Sequence, residues 1–208
     1  MESIDEFLLR RHYLDIHDLL GRGLSYYQIS LLVKAGKLRK LNKQSYESLL
    51  FHGDPCDFFA VPAYAKKGVV ALLSAAIYHE LSDERLIDLC VALPRGARVP
   101  NPPAYPPMHF VSFSEERYLL GKMIVQDEDG NSFWIYDREK TVCDVFFYRN
   151  KIGFEAAMRV LRSYLRSRNR DIDKLLLYGD ALGIGKTLRR VLEVLIYDES
   201  KWRAIGQR

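Results

Sequence analysis

Three acidic residues, a type that binds divalent metal ions, lie close together at positions 137–144. The run Asp137-Arg138-Glu139-Lys140 follows a predicted strand, and Asp144 comes four residues after Lys140. Metal-dependent nucleases need an acid and then a Glu-x-Lys on an adjacent strand, so that two carboxylates share a metal. Here Glu139 and Lys140 are adjacent, and adjacent side chains point in different directions. The sequence therefore predicts no metal ligands and no catalytic residues, and a nuclease built on Asp137 and Glu139 stays as an alternative.

A second stretch, from Asp180 to Thr187, ends like a phosphate-binding loop. That loop requires Gly, or sometimes Ala, at the position of Asp180, because a carboxylate there would direct negative charge toward phosphate oxygens. We predict instead a glycine turn between two helices. The histidines are isolated from one another along the chain: His12, His17, His52, His79 and His109. With no Gly-x-Ser-x-Gly beside them, the sequence supports neither nucleophilic catalysis nor a cofactor, and it predicts a protein that is not an enzyme.

The most complete functional pattern lies between residues 23 and 46. Ser25 followed three residues later by Gln28 is a capping-box pattern, so a helix is predicted to begin at Tyr26 and to end at Gly36. Apolar residues at i, i+3 and i+4 give this helix one buried face: Ile29, Leu32 and Val33. The opposite face is predicted to point outward: Tyr26, Tyr27, Ser30, Leu31 and Lys34.

Basic and apolar residues then alternate over 37–41, and Ser45-Tyr46 follows the turn at 42–44, which predicts a β-ribbon with a basic edge. Six Lys or Arg and no Asp or Glu lie between Arg22 and Tyr46, a charge pattern that favours a polyanionic partner. A shorter apolar helix is predicted upstream and is closed by the glycines of residues 21–23. Helix, glycine turn, capped helix and basic hairpin predict a winged helix-turn-helix that binds double-stranded DNA. The candidate DNA-binding residues are Ser25, Tyr26, Tyr27, Ser30, Lys34, Lys37, Arg39, Lys40 and Lys43.

The net charge of +4 over 208 residues is unevenly distributed. It is +2 over residues 1–50, −4 over 51–150 and +6 over 151–208. A protein that coats nucleic acid by charge alone would be basic along its whole length. The acidic region 51–150 is therefore expected to do something other than contact DNA. No run of about 20 apolar residues and no secretory leader is visible, which predicts a cytoplasmic protein without a membrane segment. The three widely spaced cysteines predict buried thiols rather than disulfides or a zinc site.

We predict an α+β fold with two domains. Residues 1–50 form the winged helix-turn-helix, and residues 51–208 form a mixed α/β domain that ends in a helical segment, with the boundary near residues 50–62. The strands predicted for the second domain are residues 89–93, 108–113, 122–126 and 132–136. Its predicted helices are residues 69–81, 141–148, 154–165, 175–178 and 188–196, and the proline-rich stretch 94–107 is a surface loop.

A second basic surface is predicted on the helix from Phe154. Its arginines align on the polar side of that helix and continue beyond it: Arg159, Arg162, Arg166, Arg168 and Arg170. The sequence leaves open whether this surface contacts DNA, an acidic partner protein or only solvent.

Four segments together resemble the AbiEi family, the antitoxins and transcriptional regulators of AbiE-type toxin–antitoxin systems. They are the winged-helix segment 23–38 with Tyr46, the helix 70–81, the segment 91–98, and residues 135–144, which are similar to a Tyr-Asp-x-Glu-Arg-Thr-x-x-Asp signature. The resemblance implies that the N-terminal domain binds inverted repeats in its own promoter. It also implies that the second domain counters a nucleotidyltransferase toxin.

By the same resemblance the residues after the last strand have a structural role. Thr141 is expected to cap the following helix, and Asp137, Arg138 and Asp144 are expected to hold the strand-to-helix junction by ion pairing. The competing function is a protein-interaction module whose winged helix binds no DNA, since an exposed Leu31 suits a protein partner as well as a thymine methyl group.

Overall fold

The computed structural model describes residues 2–53 and 56–205, so Asp54 and Pro55 of the predicted domain exit lie outside the described residues. The elements in chain order are α1 (Ile4–Arg10), β1 (Tyr13–Asp15), α2 (Ile16–Gly21), α3 (Tyr26–Lys34), β2 (Leu38–Lys40), β3 (Ser45–Ser48), a 3-10 turn (Asp57–Ala60), α4 (Val61–Tyr64), β4 (Val69–Val70), α5 (Leu72–Tyr78), β5 (Leu89–Pro94), β6 (Met108–Phe113), α6 (Glu115–Leu119), β7 (Lys122–Gln126), β8 (Ser132–Tyr136), α7 (Arg138–Phe147), α8 (Arg149–Ile152), α9 (Phe154–Arg166), α10 (Ile172–Ala181) and α11 (Gly185–Ile205). The predicted α+β class is confirmed.

The first 50 residues contain a three-stranded antiparallel sheet with the strand order β1-β3-β2. Tyr46 of β3 lies opposite Leu14 of β1 and Lys40 of β2. One apolar cluster joins this sheet to helices α1, α2 and α3, and its fully buried members are Leu8, Leu14, Leu19, Ile29 and Leu38. Burial of these side chains determines which face of α3 is exposed to solvent.

The ends of α3 follow from local sequence. The Ser25 hydroxyl accepts from the Gln28 backbone amide at 3.3 Å, and the Gln28 side chain accepts from the Ser25 amide at 2.8 Å. Gly36 has a φ of +71°, a conformation that few residues other than glycine adopt. The predicted capping box, helix start and glycine stop are confirmed.

A five-stranded mixed sheet has the order β6-β5-β4-β8-β7. Strand β5 runs parallel to β6 and antiparallel to β4, which is itself parallel to β8. All four predicted strands are confirmed. The predicted helix 69–81 is wrong at its start, because Val69 and Val70 form β4 in the middle of the sheet and are fully buried. Helix α5 begins only at Leu72.

Helices α5, α7, α9, α10 and α11 share a second apolar core. The predicted apolar stripe on α9 is confirmed for Ala157, Met158, Leu161, Tyr164 and Leu165, whereas Phe154, at the first turn, is 55% exposed. A turn at 182–184 joins α10 to α11, with Gly183 at a φ of +72°. The glycine turn predicted in place of a phosphate-binding loop is therefore confirmed.

The chain divides into two compact units. Unit 1 contains residues 1–70, 87–114 and 123–135, and unit 2 contains residues 71–86, 115–122 and 136–208. The functional division into residues 1–50 and 51–208 remains a prediction. Within the described residues, no helix is long and apolar enough to cross a membrane.

Candidate nucleic-acid interface

The outward face of α3 carries two aromatic side chains that are largely exposed to solvent. Tyr26 is 68% exposed and Tyr27 is 72% exposed, while Ile29, on the opposite face, is only 2% exposed. Ser30, Leu31 and Lys34 complete the exposed face, as the sequence predicted. A nine-residue helix of this kind, with hydroxyls and one cation on its free side, has the size and chemistry to enter a DNA major groove.

Ser25 lies at the start of this face, but its hydroxyl is already engaged. It accepts from the Gln28 amide and lies 3.0 Å from the Gln28 side-chain oxygen. Replacing such a capping residue costs about 1 kcal/mol. Ser25 therefore fixes where α3 begins, and this occupied hydroxyl is less suited to contacting a ligand than the free tyrosines beside it.

Half of the basic residues between Arg22 and Tyr46 are paired within the protein. Arg22 lies 3.0 Å from a Glu2 carboxylate oxygen, and Lys37 lies 2.6 Å from Asp5. Arg39 binds Glu47 across the β2–β3 pair, and this hydrogen bond raises the pKa of Arg39.

The remaining three cations are Lys34, Lys40 and Lys43. Each is exposed, and no acidic side chain within the described ranges pairs with any of them. These three are the charges that phosphate groups can reach without first breaking an internal ion pair.

The turn between β2 and β3 is closed by Asn42 rather than by a glycine. The Asn42 side-chain oxygen accepts from the backbone amides of Gln44 at 2.9 Å and Ser45 at 3.0 Å. Its amide nitrogen donates to the Ala63 carbonyl at 2.8 Å. The Asn42 side chain thus stabilises the turn that carries Lys43 through hydrogen bonds within the turn and to Ala63 outside it.

Beside this turn lies a groove of about 710 Å³ that sequence reasoning missed. One wall is the β2–β3 ribbon with Arg39 and Lys40, and the other is the proline-rich loop at residues 100–105 with Tyr64 and Lys66. Lys66 lies 2.7 Å from Asp15. The run of prolines predicted a surface loop, but no local signal shows that the loop faces the ribbon.

The arginines predicted as a second basic surface are not equivalent. Arg159 is ion-paired with Glu84, and Arg170 donates to the Ser167 carbonyl at 3.0 Å. Arg162, Arg166 and Arg168 are exposed on α9 or just beyond it. The surface is therefore less strongly positive than the count of five arginines implies.

The junction between β8 and α7 is capped by Asp137, not by Thr141. The Asp137 carboxylate accepts from the Lys140 amide at 2.8 Å, which makes it the N-cap. Thr141 lies inside the helix, one turn on, and donates to the Tyr136 carbonyl at 3.3 Å. The expected capping role of Thr141 is wrong, because Asp137 already occupies the cap position that Thr141 would need. Arg138 forms hydrogen bonds with the His79 carbonyl and Ser167, and it has no ion pair with a described residue.

Asp144 is fully buried and contacts Lys140 and Arg117. Burial raises the pKa of the Asp144 carboxyl and lowers the pKa of the Lys140 ammonium, while their mutual attraction opposes both shifts. Removing one member of such a buried pair leaves the other charge without compensation. Asp144 thus supports the junction by ion pairing, as expected.

Glu139 points away from this pair. Tyr164 donates to it at 2.9 Å, and Lys174 lies 3.0 Å from Glu139 and 3.1 Å from Asp137. Burial lowers the pKa of Lys174, but its hydrogen bonds to Glu139 and Asp137 raise it overall. Among the described residues, no group of three or more His, Cys, Asp or Glu is placed to hold a metal ion.

Comparison with models of known protein families finds no match for this chain, and comparison with curated proteins finds none either. The resemblance to the AbiEi family therefore stays an interpretation of the four sequence segments that carry it.

Proposed function

We propose that residues 1–50 form a winged helix-turn-helix that binds double-stranded DNA. The observation that carries the proposal is the exposed face of α3 next to Lys40 and Lys43 of the β2–β3 ribbon, which pair with no acidic side chain in the described part of the chain. The element order α1, β1, α2, α3, β2, β3 also supports it, because a helix-turn-helix followed by a two-stranded wing has this order.

In the proposed complex, α3 lies in the major groove. Tyr26, Tyr27 and Ser30 meet base edges or phosphates through their hydroxyls, and Lys34 binds a phosphate. Lys40 and Lys43 flank the groove on the neighbouring backbone, and Arg39 reaches a phosphate there only by giving up its ion pair with Glu47. Leu31, which is 43% exposed, packs against a thymine methyl group.

The sequence resemblance extends this proposal to a biological role. The protein is the antitoxin of a two-gene operon and represses that operon by binding inverted repeats in its own promoter. Residues 51–208 contribute to countering a nucleotidyltransferase toxin. This role needs no catalytic residue and no cofactor in the chain itself.

The test is binding of the full-length protein to its own upstream DNA and to a scrambled duplex, measured by fluorescence anisotropy. We expect a preference of about a thousandfold for the native duplex. Lys34→Ala should weaken binding to the native duplex several-fold, whereas Lys186→Ala, an exposed lysine on α11, should leave it unchanged. Equal, steeply salt-dependent affinity for both duplexes would leave a basic surface without operator recognition.

One observation favours a second candidate, a protein-binding module. Tyr26, Tyr27 and Leu31 form an exposed apolar and aromatic strip that also suits a protein partner. Absence of binding to either duplex at low salt, with a native circular dichroism spectrum, would favour this reading over DNA binding.

A further inference from the structure

A cavity of about 460 Å³ opens on unit 2, and none of the residues that line it is used in the proposed DNA complex. Its walls come from residues 79–81, which follow α5, from the first residue of α7, from the last turn of α9 and from the segment that follows α9. Three arginines line it, Arg138, Arg166 and Arg168, together with the neutral side chains of Ser163 and Asn169. The acidic side chain in the lining is Glu80, so positive charge predominates.

Arg138 is held in place at this cavity before any ligand arrives. One terminal nitrogen donates to the His79 carbonyl at 3.2 Å, and the other donates to the Ser167 hydroxyl at 2.8 Å. Its Nε is buried and has no hydrogen-bond partner in the described part of the chain. Each terminal nitrogen keeps a further N–H, since a guanidinium carries five. A fixed guanidinium with unused donors loses little entropy when it binds an anion.

No carboxylate neutralises Arg138 within the described ranges. The neighbouring acids, Asp137 and Glu139, are both engaged by Lys174. His79 adds no charge near neutral pH, because burial lowers its pKa from the ordinary value of 6.5. The positive charges of Arg138 and Arg168 are therefore available to a ligand.

We propose that this cavity binds the phosphate group of a small phosphorylated ligand. Guanidinium groups match phosphate oxygens in pairs, and the Ser163 hydroxyl and the Asn169 amide supply neutral donors around them. The volume falls within the range of about 300–1,000 Å³ that small-molecule pockets occupy. Among the described residues that line it there is no Phe, Tyr or Trp, so recognition rests on the phosphate rather than on stacking of a base.

The experiment is isothermal titration calorimetry of the full-length protein with inorganic phosphate, inorganic pyrophosphate and 5′-phosphorylated oligonucleotides of two lengths. We expect saturable binding of phosphate, with tighter binding of pyrophosphate. Arg168→Gln should raise the dissociation constant for pyrophosphate about tenfold, which corresponds to the loss of one charge-assisted hydrogen bond. Arg162→Gln is the matched control, because Arg162 is exposed on α9 but does not line the cavity.

Arg138→Gln provides a second test, with circular dichroism to verify that the fold is kept, and should abolish phosphate binding. Three results would overturn the proposal: no saturable heat with either anion, equal effects of the Arg162 and Arg168 substitutions, or unchanged binding in a folded Arg138→Gln protein. Oligonucleotide affinity that rises with strand length and exceeds that of pyrophosphate would also overturn it in favour of a nucleic-acid surface. Promoter binding is measured separately, so failure here leaves the DNA proposal intact.

Discussion

Replacing Lys40 by alanine should reduce the salt dependence of DNA binding by one phosphate contact. Lys40 is exposed on β2 and has no acidic partner among the described residues. Each neutralised phosphate of B-DNA contributes about 0.9 to the slope of log K against log salt concentration. The slope of Lys40→Ala should therefore be shallower than that of the wild type by about 0.9. Between roughly 50 and 200 mM salt, this corresponds to a loss of affinity that is about three- to fourfold smaller than in the wild type.

Lys37→Ala is the matched control for this measurement. Lys37 precedes β2 directly, yet its ammonium donates to both carboxylate oxygens of Asp5, at 2.6 and 2.7 Å. An ammonium already paired inside the protein displaces few counterions from DNA, so this substitution should change the slope by much less than 0.9. Anisotropy titrations on the native promoter duplex at four salt concentrations give both slopes. Equal changes in the two variants, or an unchanged slope for Lys40→Ala, would refute the assignment of free and paired lysines.

Further predictions concern stability and the ribbon turn. Asp144→Ala should lower the free energy of unfolding by about 3–5 kcal/mol and the melting temperature by roughly 10 °C, because it breaks the fully buried ion pair with Lys140. Asp180→Ala, at a solvent-exposed pair, should leave the melting temperature nearly unchanged. A normal Asp144→Ala melt with lost toxin control would contradict the structural role. His79→Gln should flatten the pH dependence of stability measured by urea unfolding. Because burial lowers the pKa of His79, the wild type loses stability as the pH falls below about 6.5. This loss is at most about 1.4 kcal/mol per pH unit. An identical pH profile in the two proteins would exclude His79 as the cause. Asn42→Ala removes two hydrogen bonds within the ribbon turn and one to Ala63, and should weaken promoter binding while Asn42→Asp retains the two turn bonds.

The elements that could be predicted from the sequence are those whose boundaries are set locally. Ser25 and Gln28 close a capping box within four residues, and Gly36 stops α3 by its backbone conformation alone. The boundary that was predicted wrongly, the start of α5, depends on residues that are distant in the sequence. Val69 and Val70 continue the apolar spacing of α5, but pairing with β5 and β8, which follow 20 to 65 residues later, draws them into the sheet.

The candidate interface shows the same limit at the level of side chains. Helical spacing was sufficient to predict the free face of α3, since Ile29 must be buried for the helix to pack. It could not predict that Asp5 pairs with Lys37 or Glu2 with Arg22, because these ion pairs join α1 and its N-terminal flank to residues about 20 to 32 positions away. Counting charges along the sequence therefore overestimates the charge that the folded surface offers to DNA.

This lower count bears on how the proposed complex would discriminate between sequences. If Lys34, Lys40 and Lys43 each neutralise one phosphate, the slope is about −2.7, and affinity falls only about fortyfold between 50 and 200 mM salt. Proteins with six to ten phosphate contacts lose about 10³ to 10⁵ over the same range, and the same contacts supply their non-specific binding. A surface with three free lysines must therefore draw much of its affinity from Tyr26 and Tyr27 against base edges, where a wrong base costs about 1–3 kcal/mol. Weak electrostatic binding to DNA of any sequence, together with a large share of the binding free energy from α3, favours a high ratio of specific to non-specific affinity. The comparison of native and scrambled duplexes measures this ratio directly.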